Sequence, residues 1–127
     1  MKKYISSGTE WENIVGYSRA VRVGNVIEVS GTVASDGNNV VGKEDVYLQT
    51  KFILKKIESA LKETGASIND VVRTRIYVKD ISKWSEVAKA HQEVFGNIKP
   101  ATSMVEISAL ISPEYLVEIE ATAILDF

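Results

Sequence analysis

The sequence predicts an α+β domain of two layers, a mixed six-stranded sheet with two helices on one face. Three observations predict it. Runs rich in β-branched residues and runs with helical periodicity follow one another in the order strands, helix, strand, helix, strands. Each helical run joins strand-like runs, the arrangement of a right-handed crossover, which puts both helices on one face. The last strand, Leu116-Val117-Glu118-Ile119-Glu120-Ala121-Thr122-Ala123, alternates apolar and polar residues, so one face is buried and the other has no helix left to cover it.

Taken in order, the elements have local causes. Tyr17 to Val23 and Val26 to Val33 are β-rich runs around Gly24-Asn25, a hairpin signature. Ser35 to Asn39 is a second turn region. Asp45 to Thr64 reads as a helix whose apolar stripe is Val46, Ile53, Leu54, Ile57, Ala60 and Leu61. Lys51, Lys55, Lys56, Glu58 and Lys62 form its wet face, Asp45 caps its start and Gly65 ends it. Val71 to Val78 is a strand. Asp80 to Ser82 leads into a second helix reaching Phe95, with Trp84, Val87, Ala88, His91, Val94 and Phe95 as its stripe and Gly96 as its stop. After Pro100, Ala101 to Ser108 and Leu116 to Leu125 are strands separated by the Pro113 loop.

Composition narrows the function. The 127 residues are 45% hydrophobic and 25% charged, which suits one domain spanning 1–127. Fifteen Lys+Arg against 17 Asp+Glu give a net charge of -2 with no basic run, which argues against binding a nucleic-acid backbone. With no cysteine and one histidine, His91, the chain builds no disulfide, thiolate nucleophile or two-histidine metal motif. No GxGxxG or P-loop pattern occurs. The N-terminus lacks a signal-peptide pattern, and no run of about 18 apolar residues could cross a membrane. A cytoplasmic protein with no membrane partner fits these features.

The uncovered face carries the candidate chemistry. Glu118, Glu120 and Thr122 point away from the helices, Tyr17 and Arg19 share a face, and so do Arg73, Arg75 and Tyr77. On the preceding strand Thr102, Met104 and Glu106 share one face, and Ser103, Val105 and Ile107 the other. The plain reading is a solvated sheet face. The sharper one is a face that meets copies of itself, making clefts where partly desolvated carboxylates have raised pKa values suited to acid/base work. His91 lies on an apolar stripe and reads as a structural histidine before a catalytic one. Trp11 and Trp84 read as core or interface anchors.

Gly16-Tyr17-Ser18-Arg19-Ala20-Val21, Val29-Ser30-Gly31-Thr32, Arg75-Ile76-Tyr77-Val78-Lys79-Asp80, Pro100-Ala101-Thr102-Ser103-Met104-Val105-Glu106 and Leu116 to Ala121 resemble the YjgF/RidA family, in the same order and over most of the chain. The resemblance implies a chorismate-mutase-like fold and a homotrimer whose sheets form a central barrel, with small-molecule sites in the subunit clefts. It implies cofactor-independent hydrolysis of imines and enamines; older labels in the family are endoribonuclease and translation inhibitor. Tyr17 matches a site tyrosine, Gly31 a cleft-lining glycine, and Glu118 the glutamate that orients water.

Thr102 stands where the family's deaminases carry a carboxylate-binding arginine after Pro-Ala, Ala88 replaces an asparagine, and the loop from Phe95 to Pro100 is shorter. A hydroxyl does not replace a bidentate Arg–carboxylate pair, so the usual 2-imino acids are not the expected substrates. Arg19 and Arg75 are the candidates to supply the charge instead. Tyr17, Arg19, Gly31, Thr102, Ser103 and Met104 are the expected ligand contacts. The readings are a small-metabolite hydrolase using Glu118, a non-catalytic ligand-binding trimer, and last, a nuclease or translation inhibitor.

Overall fold

In the computed structural model, which describes residues 1–127, two elements precede the expected hairpin: a strand, β1 (Lys2–Ile5), and a short helix, α1 (Glu10–Val15). The Lys-Lys-Tyr-Ile run has little strand character of its own. It is extended because it pairs antiparallel with β2 (Ala20–Val23), Ile5 opposite Ala20. Gly16 ends α1 in the left-handed region, at φ 87°. Tyr17 to Arg19 are thus the exit from a helix, and the first hairpin strand starts at Ala20, later than its apolar pattern suggests.

Gly24 and Asn25 form the two-residue loop into β3 (Val26–Thr32), with Val23 opposite Val26. The turn region that follows folds into a small hairpin of its own, β4 (Ser35–Asp36) with β5 (Asn39–Val40). α2 (Val46–Glu63) begins where the Asp45 carboxylate accepts the Leu48 N–H at 3.0 Å. The whole expected stripe is buried, and Gln49 and Thr50 are buried with it. Gln49 is satisfied: its amide donates to the carbonyls of Gly42 and Glu114, and its oxygen accepts the Leu116 N–H. Lys56 is not on the wet face as its periodicity suggests. It is half-buried, and its ammonium donates to the carbonyls of Val33 and Ser35 at 3.1 and 2.9 Å.

β6 (Val71–Val78), α3 (Trp84–Phe95), β7 (Ala101–Glu106) and β8 (Val117–Ile124) complete the chain. The sheet order is β1-β2-β3-β8-β6-β7. β6 and β7 are parallel, joined through α3, while β8 inserts antiparallel between β3 and β6. The sheet is therefore mixed and six-stranded, as expected. α2 and α3 pack on each other over its apolar face, where Val117, Ile119, Ala121 and Ala123 are buried together with Ile53, Ile57 and Leu61.

Two details of α3 differ from its pattern. Ala90 is buried, whereas Trp84 is 57% exposed; Trp11 on α1 is 52% exposed, so neither tryptophan is a core anchor. Gly96 continues in a right-handed conformation at φ -54°, and the chain reverses at Lys99, φ 55°. Gly96 is small for another reason: an added Cβ would lie 2.8 Å from the Gln92 carbonyl oxygen.

Candidate functional site

Two clusters of polar residues form, on opposite faces of the sheet. The first is built on an irregularity in β3. Val29 pairs with Ala121 and Thr32 with Ile119, so β3 holds one residue more than β8 between them, a β-bulge at Ser30-Gly31. Ser30 Oγ donates to the Ser18 carbonyl at 2.6 Å, and the Ser30 N–H to the Arg19 carbonyl at 3.0 Å, tying the bulge to the segment leaving α1. Arg19 Nη2 donates to the Gly31 carbonyl at 2.7 Å. At Gly31 an added Cβ would sit 2.9 Å from Glu118 Cδ and nearer still to Oε2, so any side chain there has to push the carboxylate aside.

α1 holds this segment in place. Glu12 is buried, accepts hydrogen bonds from the Ser7 N–H and hydroxyl, and offers its own carbonyl to the N–H groups of Gly16 and Tyr17. Burial acts to raise the Glu12 pKa, but the Ser7 and Ser6 hydrogen bonds and the Arg19 charge outweigh it and keep the carboxylate ionised. The sequence pattern gave Glu12 no role; a carboxylate five residues after Ser7 was the available signal.

Glu118 sits at the centre of the first cluster. Burial pushes its carboxyl up from the ordinary range, Glu120 adds to this, and Arg19 partly offsets it. Its strand neighbours are engaged: Glu120 accepts from the Tyr77 hydroxyl at 2.9 Å and faces Arg75 at 3.8 Å, and Thr122 donates to Glu28 at 2.5 Å. Glu118 alone of the three has no side-chain hydrogen bond within the chain. Burial lowers the Arg19 pKa, and Tyr17, Glu12 and Glu118 draw it back up; an arginine so placed stays cationic. Its guanidinium lies 6.0 Å from the Tyr17 ring centroid, and its Nε is buried with no partner. Tyr17, Arg19, Gly31 and Glu118 are thus brought together. Arg75 is not with them, being turned to Glu120.

The second cluster lies under α3. Register pairs Thr74 with Thr102 and Ile76 with Met104, so Thr102 and Met104 face the helices while Ser103, opposite Arg75, faces away. Arg73 Nη2 donates to Ser103 Oγ at 2.8 Å on that open face. Thr102 Oγ1 lies 2.8 Å from Thr74 Oγ1, which lies 2.9 Å from His91 Nε2. Thr74 is fully buried, and the His91 ring packs against Phe95 with centroids 4.6 Å apart. Burial lowers the His91 pKa, so the ring is neutral at physiological pH. His91, Gln92, Lys99 and Thr102 are the polar lining of a cleft of about 540 Å³ between α3 and the edge strand β7, whose apolar residues are Ile76, Ala88, Phe95 and Met104.

Glu118 and Thr102 therefore occupy different faces and are two strand spacings apart, about 10 Å across the sheet. A single ligand touches both only if one of them comes from another copy of the chain. Strand parity already sets Thr74 opposite Arg73 and Arg75, with Ile76 and Val78; a second bulge in β6, where Val71 pairs with Ala123 and Arg73 with Thr122, brings Val71 to the helix side as well. No three His, Asp or Glu side chains converge to hold a metal ion.

The chain is similar to proteins of known family. The family model described as Endoribonuclease L-PSP matches residues 8–125. A RutC family protein of Pyrococcus abyssi is 40% identical over 108 residues, covering 84% of each chain. The 3-aminoacrylate deaminase RutC of Acinetobacter baylyi is 32% identical over 84% of this chain and 85% of its own. A crystal structure from Mycobacterium tuberculosis, of a member of the YjgF/YER057c/UK114 family, superposes with a TM-score of 0.91 at 51% identity over 98% of this chain and all of that one. Matching motifs, matching fold and near-complete coverage identify this chain as a member of the YjgF/RidA family, the endoribonuclease L-PSP group.

Proposed function

We propose that this protein is a homotrimeric hydrolase of small imines or enamines, with its sites in the clefts between subunits. Glu118 carries the reading: a half-buried carboxylate of raised pKa, without a partner in the chain, held against a glycine in a bulge. Such a group can hold a water and take its proton. An enamine first tautomerises to its imine; the water oxygen adds to the carbon of the C=N bond while Glu118 passes the water's proton to the nitrogen, and the remaining hydroxyl proton follows as the C–N bond breaks and ammonia leaves with the carbonyl product. Tyr17 would close the pocket, and Thr102 and Met104 would belong to the neighbouring subunit's side of the site, where Ser103, its side chain on the opposite face, would contribute backbone alone, with no metal or cofactor taking part. The face opposite α2 and α3 would line the centre of the trimeric barrel. The whole chain would act as one domain, in the cytoplasm.

The relative named as a 3-aminoacrylate deaminase supports the reaction class. The absence of arginine at Thr102 favours substrates other than the usual 2-imino acids. The test is an assay that generates imines and enamines enzymatically and follows carbonyl product, with wild type and Glu118→Gln. Turnover lost in the folded variant supports the reading; equal turnover removes Glu118 from the chemistry. A trimer that binds a small metabolite without turning it over is the second reading, favoured by the same departure at Thr102. Ligand-dependent thermal shifts with no product in the assay would select it. An RNA-directed activity comes last, given the net charge of -2.

A further inference from the structure

We propose that Thr102, Thr74 and His91 form one hydrogen-bonded recognition unit. It presents the Thr102 oxygen to the cleft as an acceptor and selects ligands bearing an uncharged N–H or O–H donor, such as an enamine amino group or a carboxamide, over carboxylates. The proposal rests on the reading of this cleft as a ligand site.

The proton count supports it. Each threonine hydroxyl has one proton and two lone pairs, and a neutral imidazole has one donor and one acceptor nitrogen. Thr74 is fully buried, and its hydroxyl touches two partners, Thr102 Oγ1 at 2.8 Å and His91 Nε2 at 2.9 Å. With Nε2 as the acceptor, Thr74 donates to the ring and Thr102 donates to Thr74. Both protons are then spent on the two shortest contacts, and the longer one from Thr102 to the Pro100 carbonyl, 3.2 Å, is not needed. Thr102 is left with only lone pairs to offer a ligand. It is exposed on an edge strand, so a ligand in the cleft can reach it.

A carboxylate, which offers only acceptors, would meet those lone pairs oxygen to oxygen. The charge that could overcome this is Lys99 at the rim, which is exposed and screened by water. An amine or amide N–H, by contrast, completes the chain from ligand to Thr102, Thr74 and the ring. Besides Thr102 and His91 the lining holds Gln92, whose amide both donates and accepts, and four apolar side chains, a mix that suits a small polar but uncharged body.

His91 is the single histidine, so NMR of its imidazole nitrogens needs no assignment by mutation. The expected spectrum at neutral pH shows Nε2 unprotonated and Nδ1 carrying the proton; a protonated Nε2 overturns the proposal. Propionamide and propionate, near-isosteric probes, are then titrated while the amide signals of β7 and α3 are followed. Propionamide is expected to bind more tightly, and Thr102→Val to weaken it about 3- to 10-fold, the worth of one neutral hydrogen bond, while propionate is unchanged. Equal affinity for both probes, or a Thr102→Val variant that binds propionamide as well as wild type, overturns the recognition unit and leaves the cleft reading standing. If neither probe moves any cleft signal, the cleft reading fails and the proposal with it. Thr74→Val should repeat the loss by cutting the chain at its middle; should that buried change unfold the protein, the exposed Thr102→Val still decides.

Discussion

Glu118 and Thr102 differ in what surrounds them, and the difference can be measured. Glu118 has a raised pKa in the folded chain, caused first by burial and then by Glu120. Ionising it therefore works against the fold. Its favourable contribution is complete below the ordinary carboxylate pKa and is lost as pH rises through the higher folded value. Glu118→Gln, uncharged at every pH, is expected to melt above wild type at neutral pH, with the gap closing in acid. Calorimetry at both pH values checks this; a lower melting point at neutral pH would mean that the attraction to Arg19 outweighs burial. The same variant is expected to lose about 10²- to 10⁴-fold in hydrolysis, the usual cost of removing a general base. Thr102 is the second test. Wild type should be weak on 2-iminobutyrate-type substrates, and Thr102→Arg should gain about 10- to 200-fold, the worth of a charged hydrogen-bonded pair. No gain in a folded variant would mean a cleft shaped for another ligand, as the Thr102–Thr74–His91 chain suggests.

Among the elements, α2 and the bulge of β3 do most to position the site. α2 depends on its first turn, where Asp45 satisfies the Leu48 N–H. Asp45→Ala is expected to cost about 0.5–2 kcal/mol, read as a lower denaturant midpoint with an unchanged slope. α2 also sends Lys56 to the carbonyls that follow β3, so loosening the helix loosens the support of that strand's end. The bulge fixes Gly31 against Glu118. Gly31→Ala is expected to displace the Glu118 carboxylate, because the new methyl overlaps it. The readout is activity lost at little cost in secondary structure, with the raised Glu118 pKa changed in a carboxyl NMR titration. Retained activity and an unchanged titration would show that the bulge does not set the carboxylate's position.

At the level of the whole molecule, the two clusters on opposite faces of one sheet demand a partner if they serve one ligand. Light scattering is expected to give the mass of a trimer, three times 14.0 kDa. A monomer at micromolar concentration would end the shared-cleft model. Mixing two impaired variants is sharper. Glu118→Gln trimers and Thr102→Val trimers, unfolded and refolded together, should regain activity, because some mixed clefts combine an intact Glu118 with an intact Thr102. No regain would mean that both residues act from one subunit or that only one of them matters.

Much of the fold was legible because its causes are local. The stripe of α2, the Gly24-Asn25 loop and the alternation of β8 each follow from side-chain period or turn chemistry, and these need only neighbours in sequence. Their order made the mixed sheet and its helical face follow, and the motifs made the family recognisable. What sequence could not supply came from contacts between distant segments. β1 is a strand because β2 offers its edge, and α1 shows no usual apolar stripe because Trp11, Ile14 and Val15 stay exposed while its anchor, Glu12, is folded inward by hydrogen bonds. Strand parity places Glu118 correctly, since β8 is regular there. It cannot show that Thr102 turns to Thr74 and His91, because that depends on how β7 registers on β6. The sequence by itself thus determined the fold, the family and the carboxylate; the tertiary structure alone decided which residues that carboxylate and the Thr102 hydroxyl face. Register and burial are properties of paired strands, and no single strand encodes them.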